Sequence, residues 1–118
     1  MLKEYDLKKR SYSYALEVIK FLIALNGDYI TRTICKQLLR SATSVGANII
    51  EARSSSSKKD FANFYSYALK SANETKFWLG LLRDSGKISA DKIQPLLDEV
   101  TELTNILASS ILTIKRKK

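Results

Sequence analysis

The side chains able to do chemistry in this sequence are charged, amide and hydroxyl groups, because histidine is absent. Histidine is the usual general base near neutral pH and the commonest metal ligand. Its absence also removes the Glu-x-x-His motifs with which carboxylate bundles hold two metal ions. The single Cys35 cannot form an intramolecular disulfide, and by itself it cannot build a thiolate zinc site. The composition therefore predicts a protein that is not an enzyme and has no cofactor or metal.

A row of polar residues in the middle of the chain is the first candidate site. Arg40, Ser44 and Asn48 recur at intervals of four residues, and Glu51 follows on the same side. Glu74 would lie opposite this row on an antiparallel neighbouring helix. One interpretation makes Glu51 and Glu74 an acid–base or metal pair. We favour a structural role, because buried polar groups need partners and an Arg40–Glu74 contact, or a bond from Asn48 to the backbone, would supply them.

Basic residues form a second candidate site. The net charge is +8 and the sequence pI is about 9.6. Basic clusters favour phosphate-rich partners, since each neutralised phosphate releases counterions. The alternative is an ordinary solubilising surface, in which lysines at helix ends complement the helix dipole. The residues predicted to bind nucleic acid are Lys8, Lys9, Arg10, Lys58, Lys59, Lys115, Arg116, Lys117 and Lys118.

Aromatic residues supply a third set of candidates. Tyr67, Phe77 and Trp78 lie off the apolar seam of their predicted helix, which makes them candidates for a subunit interface. Stacking on nucleic-acid bases is the competing use of such rings. Tyr12 and Tyr14 lie near the first basic cluster and are the better candidates for stacking, although tyrosines in such positions more often pack against the flank of a helix.

Helices must position all of these residues. One proline, four glycines and no sustained alternation of apolar and polar residues predict an all-helical chain. The first helix is expected to begin at a cap formed by Asp6 and to end at Asn26-Gly27. The second helix is expected to run from Thr31 or Thr33 to Arg53.

Capping residues predict where the later helices begin. Ser57 followed by Asp60 is typical of a capping box, so a third helix should begin there. The fourth helix is ambiguous because of Pro95. A start at Ser89 would place the proline where its missing amide costs a hydrogen bond, so the helix either kinks or begins near Gln94. We favour the start near Gln94.

Apolar residues of the second and third helices recur at alternating steps of three and four, which is the pattern of a bundle seam, and the first and fourth helices also carry apolar faces. The predicted apolar face of the first helix is Ala15, Leu16, Val18, Ile19, Leu22, Ile23 and Leu25. The second-helix seam is Cys35, Leu38, Ala42, Val45, Ile49 and Ala52. The third-helix seam is Phe61, Tyr65, Ala68, Ala72, Thr75, Leu79 and Leu82. The fourth-helix seam is Leu96, Val100, Leu103, Leu107, Ile111 and Ile114.

These seams predict an all-α fold, namely a single-domain antiparallel up-down-up-down four-helix bundle over residues 1–118 with a short basic tail at 115–118. No stretch reaches the roughly 18 to 20 apolar residues of a membrane-spanning helix, and Lys20 interrupts the most apolar early segment. The lone cysteine suits a reducing compartment. We therefore expect a soluble cytoplasmic protein.

The segment from Gln37 to Ala52 resembles the QLLRS-x-TS-x-GAN-x-x-EA pattern of a bacterial family of four-helix bundles, the 23S ribosomal RNA intervening-sequence proteins. The likeness extends to Asp6-Leu7 with Lys9-Arg10 and to the Ser57–Phe61 segment. It also includes the Glu74–Leu82 run, which is similar to the family's ETxxWLxxL. Together these matches span about three of the four predicted helices.

The resemblance implies a four-helix bundle whose relatives include homopentameric rings. Some relatives are encoded within insertions in 23S ribosomal RNA genes, and one branch assists the reverse transcriptase of diversity-generating retroelements. We therefore predict a non-enzymatic homo-oligomer, with a pentamer favoured, that binds RNA, DNA or a nucleic-acid-handling enzyme such as a reverse transcriptase. The alternative is a protein-binding scaffold without a nucleic-acid ligand. The residues given a structural or interface role are Arg40, Ser44, Asn48, Glu51, Glu74 and Trp78.

Overall fold

The computed structural model describes residues 3–116, with side chains from Leu7 onward, as four α-helices. They are α1 (Lys3–Ile23), α2 (Tyr29–Arg53), α3 (Lys58–Asp84) and α4 (Ala90–Arg116). Within this part of the chain the helices contact one another in the cyclic order α1, α2, α3, α4 and back to α1. The bundle measures 50 × 22 × 19 Å. The predicted antiparallel four-helix bundle is confirmed, and no helix in residues 3–116 is long and apolar enough to cross a membrane.

The predicted seams of α2, α3 and α4 form most of the core. The largest fully buried side chains on these helices are Leu38, Val45, Ile49, Tyr65, Leu79, Leu82, Ile93, Leu103 and Leu107. Full burial of one large apolar side chain stabilises a fold by about 1.5–3 kcal/mol. Packing of these seams therefore holds together helices that would be marginally stable in isolation. Cys35, at the start of the α2 seam, is half-buried, and burial raises the pKa of its thiol.

Helix α1 differs from the prediction in its start and in its buried face. It begins at Lys3, so Asp6 lies inside the helix and not at its cap. Leu16, Ile19 and Ile23, which belong to the predicted apolar face, are exposed. The buried side chains of α1 are Leu7, Ser11, Tyr14 and Val18. The difference arises because the apolar residues of α1 cover a wider arc than its two neighbours, α2 and α4, can enclose.

Helix α2 begins at Tyr29, before the predicted start, because Asp28 caps it. The Thr31 amide donates to Asp28 Oδ1 at 2.8 Å, which satisfies one of the amides that a helix start leaves without a partner. Lys87 Nζ donates to Asp28 Oδ2 at 2.7 Å. The hydrogen bond from Lys87, and to a smaller extent those from Thr31, hold the pKa of the Asp28 carboxyl well below its usual range. Asp28 therefore joins the connection before α2 to the connection between α3 and α4.

Helix α3 begins as predicted, with Ser57 as its cap. The Asp60 amide donates to Ser57 Oγ at 3.1 Å. At the other end of the chain, α4 continues through Lys115 and Arg116, so these two residues are helical and do not form a tail. Lys117 and Lys118 lie outside the described residues.

Helix α4 begins at Ala90, and the predicted start near Gln94 is wrong. The Lys92 amide donates to the Ser89 carbonyl at 3.1 Å, so a helical turn forms before Pro95. That turn buries Ile93 completely, which offsets the lost hydrogen bond. Pro95 is exposed, as is Asp91, so water can reach the Asp91 carbonyl that the proline leaves without a helical donor.

Candidate functional site

One end of the bundle collects basic side chains from three helices. Because neighbouring helices are antiparallel, α2 ends, α3 begins and α4 ends at the same end of the molecule. We call the exposed cations found there the basic end; they are Arg53, Lys58, Lys59, Lys115 and Arg116. Glu51 and Asp60 are the acidic residues close to them in the chain. Sequence reasoning missed Arg53, because a single arginine gives no cluster signal until the fold brings it beside the lysines.

Two cations of the basic end lie at a helix start, where the helix dipole does not favour them. Lys58 and Lys59 are the first two residues of α3, where positive charge meets the positive end of the helix dipole. Such a charge typically costs about 0.3–1 kcal/mol. Lys115 and Arg116, in the last turn of α4, do complement the dipole. The interpretation of basic residues as helix-stabilising charges therefore holds for α4 and fails for α3.

The first predicted basic cluster does not form one surface. Lys8 and Lys9 are exposed. Arg10 is half-buried and forms a two-pronged ion pair with Glu99 of α4, with Nε 3.0 Å from Oε2 and Nη2 2.7 Å from Oε1. Such a paired geometry fixes the orientation of both side chains. Arg10 therefore joins α1 to α4, whereas Lys8 and Lys9 face outward.

The two tyrosines proposed for base stacking occupy different environments. Tyr14 is only 2% exposed, and its hydroxyl donates to the Leu96 carbonyl at 2.9 Å. Burial, assisted by the nearby Glu99 carboxylate, raises the pKa of Tyr14 well above its usual value. Tyr14 is a core residue, so the packing alternative holds for it and it is not available for stacking. Tyr12 is 68% exposed and remains available for contact with a partner.

The predicted contact between Arg40 and Glu74 is present. Arg40 Nη2 and Trp78 Nε1 both donate to Glu74 Oε2, the tryptophan at 2.9 Å. Arg40 Nε also donates to Gln37 Oε1 at 3.1 Å. Glu51 follows Arg40 by eleven residues on α2, which separates it from Glu74 by about 16 Å along the helix axis. Glu51 and Glu74 therefore do not form an acid–base or metal pair, and the side chains from Leu7 to Arg116 include no cluster of three metal-ligating groups.

Hydroxyl groups between α2 and α3 form a short ladder. The Ser41 and Thr75 hydroxyl oxygens lie 2.8 Å apart in the core, and Ser71 Oγ donates to Ser44 Oγ at 3.0 Å. Asn48 Nδ2 donates to the Ser44 carbonyl at 2.9 Å, so its bond to the backbone stays within α2 and does not cross to α3. Ser41 was not singled out from the sequence. The ladder satisfies buried polar atoms and lets the two helices approach closely.

A groove of about 630 Å³ lies between α1 and α2 on the outside of the bundle. We call it the α1–α2 groove; it is lined by Lys8, Lys9, Ser11, Tyr12, Ala15, Thr43, Gly46, Ala47 and Ile50. Of twelve exposed large apolar side chains among the described residues, eight lie on α1 and α2, and two of these, Tyr12 and Ile50, line the groove, so these two helices carry most of the exposed apolar surface. The α1–α2 groove was not identified from the sequence, although the wide arc of apolar residues on α1 indicates an exposed apolar surface.

The aromatic residues of α3 are partly accessible. Tyr67 is 50% exposed and Phe77 57% exposed, whereas Trp78 is half-buried and tied to Glu74. Phe77 and Trp78 pack edge to face with ring centres 4.9 Å apart. Two of the three rings proposed for a subunit interface are therefore on the surface.

Comparison with known proteins identifies similar chains. Residues 3–109 match the model of the family described as 23S rRNA-intervening sequence protein. A crystal structure of a protein of unknown function from the S23 ribosomal protein family of Bacteroides thetaiotaomicron is 37% identical. The similarity covers 89% of this chain and 97% of that chain, with a TM-score of 0.80. Among curated proteins, none matches this chain.

Proposed function

We propose that this chain, which belongs to the 23S rRNA-intervening sequence protein family, is a non-enzymatic homo-oligomer whose basic end binds RNA or DNA. The observation that carries the proposal is the convergence of Arg53, Lys58, Lys59, Lys115 and Arg116 from three helices. The exposed position of Lys59 at the start of α3, where the helix dipole favours a bound anion, supports it.

Binding of this kind depends on phosphate charge. Side chains that neutralise phosphates release counterions, so affinity falls as salt rises. If each of the five cations contacted one phosphate of a single strand, the slope of log affinity against log salt would be about −3.5 per protomer. The basic end carries no motif that reads base edges, so we expect little preference for sequence.

Assembly of several copies would strengthen such binding. The exposed rings Tyr67 and Phe77, with the partly exposed Leu81, give α3 an apolar surface suited to a contact between protomers. A pentamer, the proposed state, would present five basic ends to one nucleic acid and raise its apparent affinity without any new contact.

The test compares two variants with the same net charge. One replaces Lys58, Lys59, Lys115 and Arg116 of the basic end with glutamine, and the other replaces Lys20, Lys36, Lys70 and Lys92, which are exposed elsewhere. Light scattering on a sizing column gives the mass of each protein. Titration of a short single-stranded RNA and a duplex DNA at low and moderate salt gives the affinity.

We expect the basic-end variant to lose at least about tenfold in affinity with a shallower salt slope, and the control variant to lose less than about threefold. Equal losses would show that net charge, and not the basic end, attracts nucleic acid. A monomeric wild-type protein would contradict the oligomer.

The second candidate function is a protein-binding scaffold. The exposed apolar face of α1 and α2 favours it, because contiguous apolar surface marks sites of protein interaction. In that case the basic-end variant would keep its protein partner, and the wild-type protein would ignore both nucleic acids at low salt.

A further inference from the structure

The apolar face of α1 and α2 has the dimensions of a helix-binding site. Tyr12, Leu16, Ile19 and Ile23 follow one another on α1 at steps of four, three and four, so they form a stripe about 16 Å long. Leu39 and Ile50 border the same face on α2 and are also eleven residues apart. Two apolar rows of this length accommodate about three turns of a docked helix.

The floor of the α1–α2 groove is built from small residues. Ser11, Ala15, Gly46 and Ala47 line it. A Cβ atom at Gly46 would lie 3.4 Å from Ser11 Oγ, which shows how closely the two helices approach there. Small side chains at the floor leave room for apolar side chains of a docked helix to enter between α1 and α2.

The charge at one end of the α1–α2 groove indicates which side chains a docked helix would carry there. Lys8 and Lys9 are exposed and line the groove, and none of its lining residues from Leu7 onward is acidic. A docked helix would therefore be favoured by acidic side chains in the turn beside these lysines. Its own C-terminal end, which carries partial negative charge, would suit the same position.

The exposed surfaces of α3 and α4 do not supply such a helix. On α3, the exposed rings Tyr67 and Phe77 stand beside Lys70 and Lys76, which would repel Lys8 and Lys9. On α4, Asp98 and Glu102 are exposed among polar residues and not along an apolar stripe. The stripe of α1 itself is accompanied by both Glu17 and Lys20, which lie 4.0 Å apart and offset each other's charge.

We infer that the α1–α2 groove binds an amphipathic helix of another protein, with acidic side chains at the end that lies beside Lys8 and Lys9. The groove is a different surface from the basic end. The inference therefore stands whether or not the basic end binds nucleic acid.

A designed peptide of about 18 residues tests the inference on the full chain. It carries leucines at helical spacings i, i+4, i+7 and i+11 and three glutamates in its last turn. Its affinity is measured by fluorescence anisotropy for wild type and two variants. Ala47→Gln lengthens an exposed side chain in the groove, and Ala108→Gln makes the same change on the exposed surface of α4. Circular dichroism checks that both variants keep their helices.

We expect wild type and Ala108→Gln to bind the peptide equally, and Ala47→Gln to bind it at least about tenfold more weakly. The double variant Lys8→Glu, Lys9→Glu should bind the acidic peptide more weakly and should prefer a peptide with lysines in place of the glutamates. A change of preference from the acidic to the basic peptide would confirm that Lys8 and Lys9 contact the charged end of the docked helix.

Four results would overturn the inference. Two of them are the absence of saturable binding of the acidic peptide to wild type and equal binding of that peptide by Ala47→Gln and Ala108→Gln. Conversion of an oligomer to monomers by Ala47→Gln would show that a second copy of the chain occupies the groove. A loss of RNA affinity caused by Ala47→Gln would show that RNA occupies it.

Discussion

The α2–α3 pair and helix α1 are held in the bundle by different means. Helices α2 and α3 pack through buried small residues and paired hydroxyls, including Ala42, Ala72 and the Ser41–Thr75 contact. Helix α1 buries a single stripe and adds two long-range polar contacts to α4, from Arg10 and Tyr14. Tight packing on both sides stabilises α2 and α3, whereas α1 leaves an apolar surface free for a partner.

The residues that carry the family resemblance and the surfaces proposed for binding lie in different parts of the molecule. The strongest family-like runs lie on α2 and α3, and residues within them, Arg40, Glu74 and Trp78, contact one another within the protomer. These side chains maintain the fold. The surfaces proposed for binding, the basic end and the α1–α2 groove, instead take residues from separate helices. A motif on one helix therefore explains the bundle better than it explains the partner.

Removing a core side chain of α3 should show the largest effect. Leu79→Ala deletes a fully buried side chain and should lower the free energy of unfolding by about 2–5 kcal/mol. Leu16→Ala on α1, where the side chain is 41% exposed, should lower it by less than about 1 kcal/mol. Urea unfolding followed by circular dichroism measures both. Equal losses would mean that the α1 face is packed in solution, for example against another copy.

Loss of the hydroxyl contact between Ser41 and Thr75 should lower the free energy of unfolding by an intermediate amount. Thr75→Val keeps the side-chain shape but removes the hydroxyl that meets Ser41, so we expect a loss of about 1–2 kcal/mol. A double-mutant cycle with Ser41→Ala should give a coupling energy of about 0.5–1.5 kcal/mol from urea unfolding. Additive effects would show that the two hydroxyls do not act as a pair.

Loss of the Tyr14 contact should have a smaller effect than loss of the hydroxyl contact at neutral pH and a distinctive effect at high pH. Tyr14→Phe removes one hydrogen bond to α4 and should cost about 1 kcal/mol at pH 7. In the folded protein the pKa of Tyr14 is raised above its ordinary value of 10.0, so the folded state retains a proton that the unfolded state releases. Stability should therefore fall as pH rises above 10, by up to about 1.4 kcal/mol per pH unit.

Unfolding measured between pH 8 and pH 11 checks this dependence. Tyr14→Phe should lose less stability than wild type over that range, because phenylalanine has no proton to release. Parallel curves for the two proteins would show that Tyr14 does not control stability at high pH.

Local patterns predicted most of the fold. The seams of α2, α3 and α4 and the Ser57 cap follow from spacings within a few residues, and the structure confirms them. The start of α4 at Ala90 differs from the start near Gln94 that Pro95 predicts, because burial of Ile93 outweighs the hydrogen bond that the proline removes. Burial of that side chain depends on the neighbouring helices, which a local rule does not include.

The candidate site was less predictable. The basic clusters were visible in the chain, but their grouping was not, because Arg53 joins Lys58 and Lys115 only when antiparallel helices share an end. Arg10 was grouped with Lys8 and Lys9, yet the structure pairs it with Glu99, which is 89 residues away in sequence. Contacts over such separations leave no local pattern.

The sequence by itself determined the helical seams, the exclusion of histidine chemistry and the basic character of the chain, since composition and periodicity are properties of the chain alone. Only the tertiary structure decided that Tyr14 is buried while Tyr12 is exposed, and that Leu16 and Ile19 face water. The physical reason is geometric. Periodicity sets the direction of each side chain around its own helix axis, whereas burial depends on where the other helix axes lie.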